Sequence, residues 1–177
     1  MKNEENKIGL FWGTDTGMTE EIVTVLVEMI GADKVATYNV FDNPKEQLEQ
    51  YEYLILGLST WYDGELQSDW EEFHDNGGFQ DIDFSGKKVA LFGLGDQEGY
   101  DEYFIDGVGI IGDIVLQNGG EIFGKWSTEG YEYTQSKAEK EKGQFLGLAI
   151  DEDNQPSQTD ERLEQWVAQL KEEGFLK

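Results

Sequence analysis

The chain reads as a doubly wound α/β domain, a five-stranded parallel sheet with helices on both faces. Three observations predict it. Its short apolar runs are continuous rather than alternating, as strands covered on both faces require. Segments with apolar residues at helical spacing separate those runs. Its 177 residues, 38% of them hydrophobic and 13% aromatic, suit one domain burying roughly 70% of the surface its unfolded chain exposes.

The elements follow in order. Residues 8–12 give the first strand. Ile22, Val25, Leu26, Met29 and Ile30 form one face of a helix that Gly31 closes. Residues 35–40 give a weaker strand, and residues 53–58 a strong one. Leu66, Trp70 and Phe73 mark a second, shorter helix, and residues 89–94 a fourth strand. Val108, Ile111, Ile114 and Val115 mark a third helix, stopped by Gly119-Gly120. The last strand is split: residues 122–126 and 145–150 both read as strand, around a polar excursion at 127–144. Leu163, Trp166, Val167 and Leu170 form the final helix, which Ser157 and Asp160 enter as a capping box.

Composition excludes several functions. The net charge is −25, and between Glu46 and Gly124 the only lysines are Lys87 and Lys88, with no arginine. Such a surface repels nucleic acid and anionic membrane, and it can steer a basic partner protein. The absence of cysteine removes disulfides, iron–sulfur ligation and thiolate zinc sites. The N-terminal seven residues lack the apolar core of a signal peptide, and no run reaches the roughly 18–20 apolar residues of a membrane span. A cytoplasmic protein is the expectation. The lone His74 lies in an acidic helix, where it reads as a surface residue without metal partners.

Three loops at strand ends carry the chemistry, since an open α/β sheet places its ligand crevice there. Gly13-Thr14-Asp15-Thr16-Gly17-Met18-Thr19 feeds the first helix. Its backbone N–H groups, helix N-terminus and threonine hydroxyls form an uncharged cradle for phosphate. A nucleotide-triphosphate loop is excluded, because only three residues separate Gly13 from Gly17 and Met18 stands in place of lysine. The second loop, Ser59-Thr60-Trp61-Tyr62-Asp63-Gly64-Glu65-Leu66, offers a flat aromatic wall, and Gly64 gives its neighbouring peptide freedom to flip. The third, Gly93-Leu94-Gly95-Asp96-Gln97-Glu98-Gly99-Tyr100, has one residue too many for the dinucleotide fingerprint and follows the fourth strand rather than the first. Tyr100 and Tyr103 add aromatic faces. A phosphate cradle with two aromatic walls suits flavin mononucleotide (FMN).

With these motifs in order, the chain closely resembles the long-chain flavodoxins, particularly those of cyanobacteria and algae, from Lys7 to Leu176. Trp126-Ser127-Thr128-Glu129-Gly130-Tyr131 and Leu148-Ala149-Ile150-Asp151-Glu152-Asp153-Asn154-Gln155 add to the resemblance. It implies strand order 2-1-3-4-5 within a single domain over residues 1–177, with 127–144 as the long-chain insertion in strand 5. It implies that Thr14, Asp15, Thr16, Gly17, Met18 and Thr19 hold the phosphate, that Trp61 lies over the inner ring face, with Thr60 beside it among the cofactor-binding residues, and that Tyr100 stacks on the outer one. The Tyr62-Asp63 peptide, with Gly64, would sit beside flavin N5. Leu94, Gly95 and Asp96 would reach the pyrimidine edge, with Gly99 and Tyr103 in the same loop and Asp153 near the ribityl chain. Departures are Met18, where asparagine or lysine is frequent, Tyr62-Asp63 in place of asparagine and an aliphatic, and Tyr103 in place of a smaller polar residue.

The implied function is one-electron transfer between neutral semiquinone and anionic hydroquinone, as a monomer without catalytic or metal-ligating residues. Implied partners are ferredoxin–NADP reductase, photosystem I or ferredoxin-dependent enzymes. An FMN-dependent NAD(P)H:quinone reductase is the main alternative, which the acidic loops oppose. A phospho-receiver domain needs an aspartate where Ser59-Thr60 stands.

Overall fold

The computed structural model describes residues 7–177, so the first six residues of the polar N-terminal stretch lie outside the described part. Strands β1 (Ile8–Trp12), β2 (Val35–Asn39), β3 (Tyr53–Trp61) and β5 (Lys88–Leu94) form the body of a parallel sheet. A short β4 (Glu65–Leu66) folds back antiparallel on the end of β3. β1 lies between β2 and β3, with Ile8 opposite both Val35 and Tyr53, and β3 continues to β5 with Tyr53 opposite Lys88.

The fifth strand is split, but its pieces are shorter than the expected 122–126 and 145–150, because Trp126 and Phe145 pair with each other in a separate sheet. β6 (Glu121–Phe123) pairs with Lys88–Ala90, and β10 (Leu148–Ile150) pairs with Phe92–Leu94 on the same edge of β5. The main sheet therefore runs β2-β1-β3-β5 and then β6 with β10, which is the order 2-1-3-4-5 when its five parallel positions are numbered along the chain and the fifth is filled by two pieces. Between them the chain leaves and returns, but not as an unstructured excursion. β7 (Trp126–Ser127), β9 (Gln144–Phe145) and β8 (Glu139–Glu141) form a small antiparallel sheet. The hydroxyl of Tyr131, itself bonded by Trp126 Nε1, donates to the Ala149 carbonyl and seats this insertion on β10.

Alternation within buried strands divides the core into two layers. Leu54, Leu56 and Leu58 of β3 face one way, joined by Val89 and Leu91 of β5, under α3 (Ser68–Asp75) and α4 (Asp106–Gln117). Ile55, Ala90 and Phe92 face the other way, under α1 (Met18–Ile30) and α5 (Thr159–Glu172). Trp70 and Trp166 are fully buried, and each satisfies its indole N–H on a backbone carbonyl, of Gly57 and Gly124, at 2.8 Å. A short α2 (Lys45–Glu49) completes the helices. No described helix is long and apolar enough to cross a membrane.

Two local expectations are corrected. Leu66 belongs to β4 rather than the second helix, because Gln67 caps that helix by accepting from Trp70 N at 3.2 Å. The expected capping box at Ser157 and Asp160 does not form. Pro156–Gln158 makes a 3₁₀ turn running straight into α5, so no side chain caps the helix. His74 is half-buried, with Nδ1 2.7 Å from Asp75 Oδ1, and no group of three potential metal ligands occurs among the described residues.

Candidate functional site

The turn from β1 into α1 is held rigid by its own side chains. Thr14 Oγ1 accepts from Gly17 N at 2.8 Å, and Gly17 takes a left-handed φ of 89° as the helix N-cap. Asp15 Oδ1 accepts from Gln67 Nε2 and Ser68 Oγ, both at 2.8 Å, tying the turn to the start of α3. Thr14 and Asp15 thus brace the turn, and the Thr14 O–H, an acceptor in its bond to Gly17, keeps its proton to donate. The first helical hydrogen bond is Glu21 N to Gly17 O. Ahead of it, the backbone N–H groups of Thr16, Met18, Thr19 and Glu20 have no partner among the described residues. A helix N-terminus with unpaired donors and threonine hydroxyls attracts an anion without any cationic side chain.

The second loop is a tight hairpin. Trp61 pairs with Glu65 across it, while Tyr62 (φ 45°) and Gly64 (φ 85°) lie in the left-handed region. A Cβ on Gly64 would stand 2.5 Å from Asp106 Oδ2, so only glycine fits. Trp61 is oriented by an Nε1 bond to Ser59 Oγ at 3.1 Å, and its ring centroid lies 6.1 Å from that of Tyr62, which is 61% exposed. In the third loop, Asp96 Oδ1 accepts from Glu98 N, Gly99 N and Asn154 Nδ2, and Asp96 O accepts from Tyr100 N. Tyr100 is left 43% exposed.

These loops enclose one cleft of about 340 Å³. Of the residues expected at the site, it is lined by Thr16, Met18 and Thr19 from the first loop and by Thr60, Trp61 and Tyr62 from the second. Leu94, Gly95, Asp96 and Tyr100 line it from the third loop, and Asp153 from the turn after β10. Thr14, Asp15, Gly17, Asp63, Gly64, Gly99 and Tyr103 stand behind or beside that lining. Ser59 and Glu152 line it too, and sequence reasoning missed both. Each directly precedes a residue singled out in the sequence, and that adjacency was the available signal. Thr60 also has a structural task, since its Oγ1 accepts from Gly107 N at 3.0 Å.

The cleft is acidic. No lysine or arginine lines it, whereas Asp96, Glu152 and Asp153 do. Burial works to raise the Asp96 carboxyl, but bonds from Gly99 N–H, the Asn154 amide and Glu98 N–H outweigh it and hold the group below its ordinary range. Asp153 goes the other way, raised by burial and then by repulsion from Asp96, Asp151 and Glu152. Behind the hairpin, Asp106 is buried and is raised chiefly by that burial; the Lys137 N–H bond at 2.8 Å and the charges of Lys137 and Lys140 offset only part.

Folded Asp106 therefore holds its proton to higher pH than the unfolded chain does. Its contribution to stability falls as pH rises from about 3.8 through the folded value. Asp106→Asn removes this titration and keeps an acceptor for Lys137 N. Thermal unfolding followed by circular dichroism should find the variant at least as stable as the parent at pH 7, with the difference vanishing near pH 4. A lower midpoint at pH 7 would show that the charge is needed.

The chain is similar to known proteins along most of its length. The flavodoxin family profile matches residues 10–166. The flavodoxin of Klebsiella pneumoniae is 48% identical over 169 residues, covering 96% of this chain and 95% of that protein. The flavodoxin of Nostoc sp. is 48% identical over 170 residues, covering 96% and 98%. Among solved structures, Fusobacterium nucleatum flavodoxin bound to flavin mononucleotide superposes with a TM-score of 0.87 at 37% identity, covering 97% of this chain and 99% of that one.

Proposed function

The chain belongs to the flavodoxin family, and from that membership we propose that it is an FMN-dependent carrier of single electrons. One observation carries the reading: a turn of unpaired, uncharged donors opens into the same cleft as Trp61, Tyr62 and Tyr100. The backbone N–H groups of Thr16, Met18, Thr19 and Glu20, with the Thr14, Thr16 and Thr19 hydroxyls, hold the phosphate, and the bonds of Thr14 and Asp15 stiffen the turn that presents them. Trp61 and Tyr100 cover the two faces of the ring. The hairpin at 62–64 lies at its edge, with Leu94, Gly95 and Asp96 at the pyrimidine end and Asp153 toward the ribityl chain.

Bound FMN would supply one-electron redox chemistry. The protein sets the potential. A backbone carbonyl of the 62–64 hairpin would accept a hydrogen bond from an N–H at the ring edge, worth roughly 0.5–1.5 kcal/mol net. Against full reduction stand the carboxylates. One of them ~10 Å from a developing anion costs about 1.7 kcal/mol at an effective dielectric of about 20, or roughly 70 mV in a one-electron couple. The same negative field disfavours an anionic nicotinamide nucleotide in the cleft, which is why a carrier is preferred to a quinone reductase. The donor and acceptor are basic-surfaced redox proteins, of the kind represented by ferredoxin–NADP reductase and photosystem I, met by a cytoplasmic, monomeric, single-domain protein of charge −25.

Anaerobic redox titration followed by visible absorbance tests the proposal. Two separate one-electron steps are expected, with the second potential below that of free FMN. Asp63→Asn should raise that second potential by a few tens of mV, the exposed charge being partly screened. A single two-electron step would contradict the reading.

A further inference from the structure

At the end of the sheet opposite the flavin cleft lies a second cavity, of about 170 Å³. Ile8, Ile30, Tyr53, Phe175 and Leu176 give it an apolar floor and walls. The Tyr53 ring packs edge-on against Phe175, another lining residue, and the Lys88 ammonium lies 4.8 Å from its centroid. Around this floor stand four lysines, Lys7, Lys34, Lys171 and Lys177, and no acidic residue lines the cavity.

That arrangement is unusual in a chain with 38 acidic residues and only 13 basic ones. Lys45, Lys88 and Lys140 each stand within ion-pair distance of a carboxylate. The four rim lysines have no hydrogen-bond or ion-pair partner for their ammonium groups among the described residues, nor do Lys125, Lys137 and Lys142. What sets the four apart is that they line one cavity. Four lysines bordering one opening give it a positive rim that attracts an anion. The apolar floor calls for a hydrophobic body on that anion, and a cavity near 150 Å³ holds about one benzene-sized ring.

We propose that this cavity binds a small amphiphilic carboxylate, its aromatic or branched aliphatic body on the Phe175 and Leu176 floor and its carboxylate among the four lysines. The site is independent of the flavin reading and lies at the other end of the sheet.

Amide chemical shifts of the FMN-saturated protein test it, with phenylacetate as the probe and phenylacetamide as its neutral isostere. Phenylacetate should shift Ile8, Tyr53 and residues 174–176 saturably, and phenylacetamide should bind at least about tenfold more weakly. The double change Lys34→Gln with Lys171→Gln should cost a further fold-change of about ten, and raising the salt should weaken binding in the parent. Equal binding of the amide, acetate matching phenylacetate, or an unaffected double variant would each overturn the proposal. So would a concentration-dependent dimer through this face in probe-free protein, which would assign the cavity to a second copy of the chain.

Discussion

Asp151→Ala should lower the thermal midpoint by about 10 °C and weaken FMN binding with it. Asp151 is fully buried, and its two oxygens accept four bonds: from Gln97 N at 3.1 Å, Gln97 Nε2 at 2.7 Å, Asn154 N at 3.0 Å and Asn154 Nδ2 at 2.9 Å. Gln97 Oε1 in turn accepts from Glu132 N at 2.7 Å. One carboxylate thus joins the loop after β5, the turn after β10 and the insertion. Its loss leaves several buried donors unpaired at about 1–3 kcal/mol each. A total near 3–5 kcal/mol shifts a domain of this size by roughly 2–4 °C per kcal/mol. The loosened loop carries Asp96 and Tyr100, so the cleft suffers too. Differential scanning calorimetry of apoprotein and holoprotein checks both effects; a midpoint within about 2 °C of the parent would mean that water replaces the carboxylate.

Trp61→Ala should weaken FMN binding by ~1–3 kcal/mol, roughly 5- to 150-fold in Kd, through lost stacking area. The indole is held in place beforehand by its Nε1 bond to Ser59 Oγ, so little entropy is lost on binding. Trp61 is only partly buried in the hairpin, so the apoprotein should unfold close to the parent temperature. Trp61→Phe should recover most of the affinity. Fluorescence titration of apoprotein with FMN measures all three proteins, and unchanged affinity in Trp61→Ala would remove this residue from the ring face.

The sheet was legible because its strands are buried on both faces, and burial writes itself as runs such as 53–58 and 89–94. The split fifth strand was legible for the same reason, since apolar residues stand on both sides of a polar excursion. The small sheet inside that excursion was not, because Glu139–Glu141 is a charged surface strand without the alternation that burial imposes. The failed capping box shows a local motif overridden by its neighbour, Pro156 starting a 3₁₀ turn that already continues into the helix.

At the site, residue types that match a ligand were legible, and the buried polar connectors were not. Nothing in an acidic sequence separates Asp151 or Asp106 from exposed carboxylates; only the fold makes them internal acceptors. Thr14 and Asp15 carry the converse lesson. Their types suit a phosphate, and the structure adds a bracing task that no sequence pattern reveals: Thr14 Oγ1 accepts from Gly17 N, and Asp15 Oδ1 accepts from Gln67 Nε2 and Ser68 Oγ.

The central claim is that uncharged backbone and hydroxyl donors grip a phosphate dianion. Comparing FMN with riboflavin, which lacks only the phosphate, addresses it most directly. Hydrogen bonds to a charged group are worth about 1.5–3 kcal/mol each, so two or more of them make apoprotein bind FMN at least about 100-fold more tightly than riboflavin. Equal affinity for the two ligands would contradict the account.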